Sequence, residues 1–167
     1  MTIRAIAHNV AALPRTAGQG SQMLESEPEF CSCGALRQAA RHVTQFYDAA
    51  LVPAALGLNQ YSILAKLDRF GPMTIQALAN LLVMDRSTLG HLLRPLEARA
   101  LLTLRTSEKD RRSRIVSLTE GGAALFATAR PLWVAAERHF ESRFGVEAAL
   151  QLRRTLKQVT TTDLSAR

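Results

Sequence analysis

The chain has 167 residues, 47% of them apolar, which is enough for one domain of ordinary size with a real core. Lys and Arg number 21 against 14 Asp and Glu, a formal charge of +7 that favours an anionic partner, nucleic acid first among them. No run of 18 apolar residues predicts a membrane span, residues 1–29 lack the continuous apolar stretch of a secretory leader, and two cysteines make no disulfide framework, which together point to the reducing cytoplasm.

Residues 1–29 carry Pro14, Gly18, Gly20, Ser21, Ser26 and Pro28 with little periodicity and read as a flexible N-terminal arm. From Ser32 the pattern turns helical, with Leu36, Ala39, Ala40, Val43, Phe46, Tyr47, Ala50 and Leu51 recurring mostly at spacings of three and four until Pro53 and Gly57 break it. A second helix over 59–70 turns Tyr61, Leu64 and Leu67 inward and stops at Gly71-Pro72. Thr74 is placed to cap a short third helix with Ile75, Leu78, Ala79 and Leu82 apolar. Asp85 is placed to cap a fourth with Leu89, Leu92, Leu93 and Leu96 apolar.

Two short alternating runs then flank a polar tip over residues 101–119, the pattern of a β-hairpin. From Arg105 to Arg114 there are five cations (Arg105, Lys109, Arg111, Arg112, Arg114) and two anions (Glu108, Asp110). Thr119 caps a long helix to about residue 144, in which Pro131 should introduce a kink. A last helix from Val146 to about residue 161 keeps Ala149, Leu152, Leu156 and Val159 in register. No internal repeat or low-complexity segment interrupts this order.

The third and fourth helices, joined by a very short turn, form a helix-turn-helix candidate. Ala79 supplies the small residue where the two helices cross, and Leu89 anchors the second on the first. Arg86, Ser87, Thr88, His91 and Arg94 are left on the outer face. These residue types donate to or accept from base edges in a major groove. An ordinary helical hairpin with polar residues facing water fits the same spacing. The basic hairpin directly behind it favours DNA, because a narrow cationic finger suits a polyanion groove.

The segment 78–122 resembles the core of the MarR family of winged-helix transcriptional regulators. The matching residues are Leu78-Ala79, Asp85-Arg86-Ser87-Thr88-Leu89, Leu96-Glu97, the pair Asp110 and Arg112, and Leu118-Thr119. The resemblance extends over about residues 30–161. It implies a mainly α fold with a small β-hairpin wing: a winged helix-turn-helix at about 59–119 inside a domain of residues 30–167, with dimerisation helices at about 32–52 and 119–161. It also implies a homodimer on a pseudo-palindromic duplex site, with Lys109, Asp110, Arg111, Arg112 and Arg114 forming the wing's DNA contacts and Arg112 entering the minor groove. Asp110 would orient the wing arginines or Arg86; a turn former at the hairpin tip is the alternative. Three residues depart from the family pattern. Val83 stands where the turn commonly has Gly, Ala100 replaces the usual Gly after the recognition helix, and Pro95 lies inside that helix. A different turn type is therefore expected at Val83.

The signal that controls such a regulator stays open. Cys31 and Cys33 begin the first helix, where the helix dipole and Arg37 would favour a thiolate. Within the family this resembles the organic-hydroperoxide sensors, with Cys33 at the reactive position and Tyr47 at one tyrosine position, while Arg37 occupies the other tyrosine position. Inert packing cysteines and a soft-metal site with His42 are the alternatives. A small aromatic or carboxylate effector could instead lie near Arg37, His42, Tyr47 and Trp133, although each also reads as a core or interface residue. No catalytic spacing is present, so neither enzyme activity nor a cofactor is expected. A thiol peroxidase using Cys33 and a basic protein-binding adaptor are the competing functions.

Overall fold

Three short polar side chains set where helices begin. In the computed structural model, which describes residues 31–108 and 110–165, Thr74 Oγ1 accepts the Ala77 N–H, Asp85 Oδ1 the Thr88 N–H and Thr119 Oγ1 the Gly122 N–H. Each bond satisfies a backbone donor that the first helical turn leaves without a partner. The elements in order are α1 (Ser32–Leu51), a 3-10 turn (Val52–Ala54), α2 (Leu58–Phe70), β1 (Met73–Thr74), α3 (Ile75–Leu82), α4 (Arg86–Ala98), β2 (Leu102–Thr106), β3 (Arg114–Leu118), α5 (Glu120–Phe144) and α6 (Val146–Thr161). The expected mainly α fold with a hairpin wing is present. The expected arm at 1–29 lies outside the described residues.

The chain divides into two compact units within α1. The first, described over residues 31–41, is an exposed helical segment. The second starts at His42 and contains every later element.

One expectation needs extending. The hairpin is part of a three-stranded sheet of order β1-β3-β2, because Met73 and Thr74 pair antiparallel with Val116 and Ile115. A two-residue strand is too short to show alternation, and Thr74 doubles as the α3 cap. The β2–β3 register runs from Leu102 opposite Leu118 to Thr106 opposite Arg114.

Around this sheet, Leu51, Ile63, Leu64, Leu78, Ala79, Leu89, Leu93, Leu96, Leu102 and Val116 form a closed core, with Phe126 and Ala129 of α5 against it. Of the residues expected to face inward, Tyr61, Leu64 and Leu67 of α2, Leu78 and Ala79 of α3 and Leu89, Leu93 and Leu96 of α4 belong to this core, while Ile75, Leu82 and Leu92 are only partly buried against it. Both proline-containing helices continue as single elements, α4 through Pro95 and α5 through Pro131.

The turn expected to change type at Val83 does not. Val83 adopts the left-handed conformation at φ 53°, ψ 47°, with Met84 N–H returning to the Ala79 carbonyl at 2.9 Å. Ala100 repeats the solution at φ 53°, with Leu101 N–H on the Leu96 carbonyl at 2.9 Å. These are the helix endings that glycine usually supplies. Burial of Leu78, Ala79, Leu89 and Leu96 on either side holds the backbone in a region that L-residues avoid.

Candidate nucleic-acid interface

The polar face of α4 follows from its apolar one. Leu89, Leu93 and Leu96 are buried at spacings of three and four, which turns Arg86, Ser87, Thr88, His91 and Arg94 outward, and all five are exposed. At the helix start Asp85 does more than cap. Its Oδ1 accepts the Ser87 hydroxyl at 2.5 Å and the Thr88 N–H at 2.7 Å, while Oδ2 accepts the Thr88 hydroxyl at 2.6 Å. These bonds, the Ser87 hydroxyl foremost and then those of Thr88, hold the Asp85 carboxyl well below the usual carboxylate range. Arg86, His91 and Arg94 supply the donors on the same helix.

The β2–β3 connection is closed by Ser107 N–H on the Ser113 carbonyl at 2.8 Å and Ser113 N–H on the Asp110 carbonyl at 2.9 Å. Arg105, Arg111, Arg112 and Arg114 are all exposed on this finger. Lys109 lies outside the described residues. Asp110 is not paired with a guanidinium among the described residues. Its Oδ1 accepts the Arg112 N–H at 3.0 Å, so the carboxylate shapes the turn and fixes the backbone that carries Arg112. The tip-former alternative is the arrangement observed. Arg114 reaches back across the hairpin, its Nη2 donating to the Leu104 carbonyl at 3.4 Å.

The finger is seated on the helices by its far end. Thr119 N–H donates to the Leu101 carbonyl at 3.2 Å and Thr119 Oγ1–H to the Ala100 carbonyl at 2.7 Å, so the end of α4 and the start of α5 clasp each other. Gly122 makes that contact possible, since a Cβ there would lie 1.9 Å from the Leu101 carbonyl oxygen.

The residues considered for sensing are distributed differently. Cys31, Cys33 and Arg37 are exposed in the first unit, both cysteines as free thiols. Tyr47 lies in the second unit, buried, with its hydroxyl donated to Glu137 Oε2 at 2.5 Å. Burial first, and then this bond, pushes its pKa above the ordinary tyrosine value. His42 is exposed. Trp133 stacks on Tyr61 with ring centroids 5.8 Å apart and packs against the core. No hydrogen bond or ring contact among the described residues joins His42 to Trp133.

Reading the sequence missed the acidic pair that organises this end of the second unit. Arg153 of α6 bonds Glu137 at 2.5 Å and Glu141 at 2.6 Å, so Glu137 serves Tyr47 and Arg153 together. The spacing of Glu137 and Glu141 on one helix face was a visible signal; their partner on the next helix was not. Arg99, which holds the Ala55 carbonyl at 2.7 Å, was likewise missed.

Residues 56–113 match the family model described as "MarR family". The organic hydroperoxide resistance transcriptional regulator of Bacillus subtilis (strain 168) is 33% identical over 93 residues, 56% of this chain and 63% of the relative, so the match spans less than two thirds of that protein. Among solved structures, the M. tuberculosis transcriptional regulator MosR in complex with DNA is 27% identical with a TM-score of 0.65, covering 79% of this chain and 99% of that one. The transcriptional repressor CouR bound to a 23-mer DNA duplex is 26% identical with a TM-score of 0.71, covering 87% and 99%. With the α3–α4 pair, the three-stranded sheet and the basic finger already in place, these matches make residues 56–113 similar to the MarR family and give the chain the winged-helix fold of DNA-bound transcriptional regulators.

Proposed function

We propose that the protein is a sequence-specific, double-stranded-DNA-binding transcriptional repressor that works as a homodimer in the cytoplasm. The observation that carries this reading is the outward row Arg86, Ser87, Thr88, His91 and Arg94 on α4, followed by a finger exposing Arg105, Arg111, Arg112 and Arg114. The helix suits a major groove, and the wing suits the adjacent minor groove, where negative potential concentrates. DNA in the structures of MosR and CouR supports the same assignment. Dimerisation is supported by Phe144, Val146, Leu150, Leu156 and Val159, large apolar residues left exposed at the α5–α6 end. A two-fold dimer reads a pseudo-palindromic site with half-sites about one helical turn apart.

Release by oxidation is the first reading of the signal. Both thiols, Cys31 and Cys33, are exposed, and the Bacillus subtilis relative is named for organic hydroperoxide resistance. A small aromatic or carboxylate effector is the second reading, weakened by the commitment of Trp133 to Tyr61 and of Tyr47 to Glu137.

The test is selection of bound duplexes from a randomised library, followed by titration of the selected site at several salt concentrations with reduced, peroxide-treated and Cys33→Ser protein. A pseudo-palindrome bound with steep salt dependence is expected, with affinity lost on oxidation of the parent protein only. Equal affinity for every duplex would remove the repressor reading. Equal affinity of the three protein forms would remove the redox signal.

A further inference from the structure

We infer that Ser87 and Thr88 read DNA as hydrogen-bond acceptors only, and therefore recognise the amino edges of bases, adenine N6–H or cytosine N4–H. The inference rests on the DNA-reading function proposed above and concerns what the start of α4 is chemically able to recognise there.

A serine or threonine hydroxyl has one proton to donate and two lone pairs to accept with. In isolation it reads any base edge. Here both protons are already spent, Ser87 Oγ–H on Asp85 Oδ1 at 2.5 Å and Thr88 Oγ1–H on Asp85 Oδ2 at 2.6 Å. Asp85 is also fastened to the helix through the Thr88 N–H, so the carboxylate cannot swing aside without uncapping α4. Turning either hydroxyl toward guanine O6 or N7, thymine O4 or a phosphate oxygen would give up a charge-assisted bond for a weaker or equal one. Accepting from an amino group costs neither bond. Asp85 is itself exposed and carries unfilled lone pairs, and a carboxylate pairs naturally with cytosine N4–H.

The same geometry sorts the work along α4. The side chains of Asp85, Ser87 and Thr88 form a purely accepting set at the helix start. Arg86 and Arg94 provide the donors that match guanine O6 and N7. Negative charge at this helix start also makes it a poor phosphate cradle, which leaves backbone gripping to the wing.

The experiment uses the full-length protein and the duplex selected from a random library. Each cytosine or adenine in the recognition half-site is replaced in turn by the analogue lacking its amino group, 2-pyrimidinone or purine. Each guanine or adenine is replaced by its 7-deaza analogue, which lacks the N7 acceptor. Binding of these duplexes is measured for the parent, Ser87→Ala, Thr88→Val and Asp85→Asn. For at least one position, amino deletion should weaken the parent roughly tenfold and the Ser87→Ala or Thr88→Val protein hardly at all. Asp85→Asn keeps an N-cap but presents an amide, which can donate to the hydroxyls and free their protons, so the amino penalty should shrink while circular dichroism stays unchanged. Coupling of Ser87 or Thr88 to the 7-deaza positions, or to no position, would overturn the inference while leaving the repressor reading intact. A library yielding no preferred duplex would overturn the repressor reading and this inference with it.

Discussion

The Tyr47 hydroxyl donates to Glu137 Oε2 at 2.5 Å, and the other oxygen of that carboxylate takes Arg153 at 2.5 Å. One acidic side chain thus joins α5 to the buried tyrosine on one side and to α6 on the other. Tyr47→Phe removes the only polar atom of the ring and leaves Glu137 paired with Arg153, so a loss of about 1–2 kcal/mol in urea unfolding at pH 7 is expected. Glu137→Gln should cost more, because Arg153 then keeps only Glu141 and Tyr47 loses its charged acceptor.

The same bond gives an alkaline signature. Tyr47 has a folded pKa raised above its ordinary value of 10.0, by burial first and by Glu137 second. The folded state therefore holds the phenol proton more tightly than the unfolded chain. The stabilisation is fully present below pH 10 and is lost as the pH rises toward the folded value. Tyr61 is raised in the same direction by burial, so part of the alkaline slope belongs to it. Stability measured from pH 9 to pH 12 should fall less steeply in Tyr47→Phe than in the parent; identical slopes would assign the whole effect elsewhere.

Gly122 offers a sharper structural prediction. A methyl group there would meet backbone, Leu101 O at 1.9 Å and Leu101 C at 2.9 Å, with Leu118 Cδ1 at 3.0 Å. Backbone cannot rotate out of the way as a long side chain can. Gly122→Ala should destabilise by about 3 kcal/mol and loosen the clasp between Thr119 and Ala100–Leu101. A methyl group at Gly121 would meet only Thr119 Oγ1 at 3.7 Å and Ala100 O at 3.9 Å, ordinary van der Waals contacts, so Gly121→Ala is the matched control and should be near neutral. Thermal unfolding of the two variants distinguishes them.

What was legible in the sequence was what is local. Thr74, Asp85 and Thr119 declare helix starts because a cap is satisfied within three residues, and the buried leucines of α4 declare its outer face through their spacing. Elements set by distant partners were silent. β1 exists only because Ile115 and Val116 are there to pair with it. Tyr47 and Glu137 are 90 positions apart, and no motif announces them. Val83 shows the converse, a local preference read correctly and overridden by the packing on both sides of it.

That override predicts a stabilising substitution. Val83 is 78% exposed and held at φ 53°, so its side chain contributes little packing against the cost of a β-branched residue in the left-handed region. Val83→Gly should raise stability by about 1 kcal/mol, the relief of strain exceeding the added freedom of the unfolded chain. Ala100→Gly, at the equivalent end of α4, should gain less, because Ala lacks the branched Cβ. A lowered melting temperature for Val83→Gly would mean that the freedom added to the unfolded chain outweighs the strain relieved.

The wing is tested by separating the two roles open to Asp110. Arg112 is exposed, and its backbone N–H, not its guanidinium, is what Asp110 holds at 3.0 Å. Asparagine forms the same turn through its amide oxygen but carries no charge. Asp110→Asn should therefore bind the selected duplex within about twofold of the parent, whereas Asp110→Ala, which frees the turn, should bind several-fold more weakly through a higher off-rate. Arg112→Ala should weaken binding roughly tenfold and reduce the slope of log affinity against log salt by about 1. If Asp110→Asn fell with Arg112→Ala, the carboxylate would be acting on a guanidinium in the complex, and the turn-forming bond of the free protein would be only its resting partner.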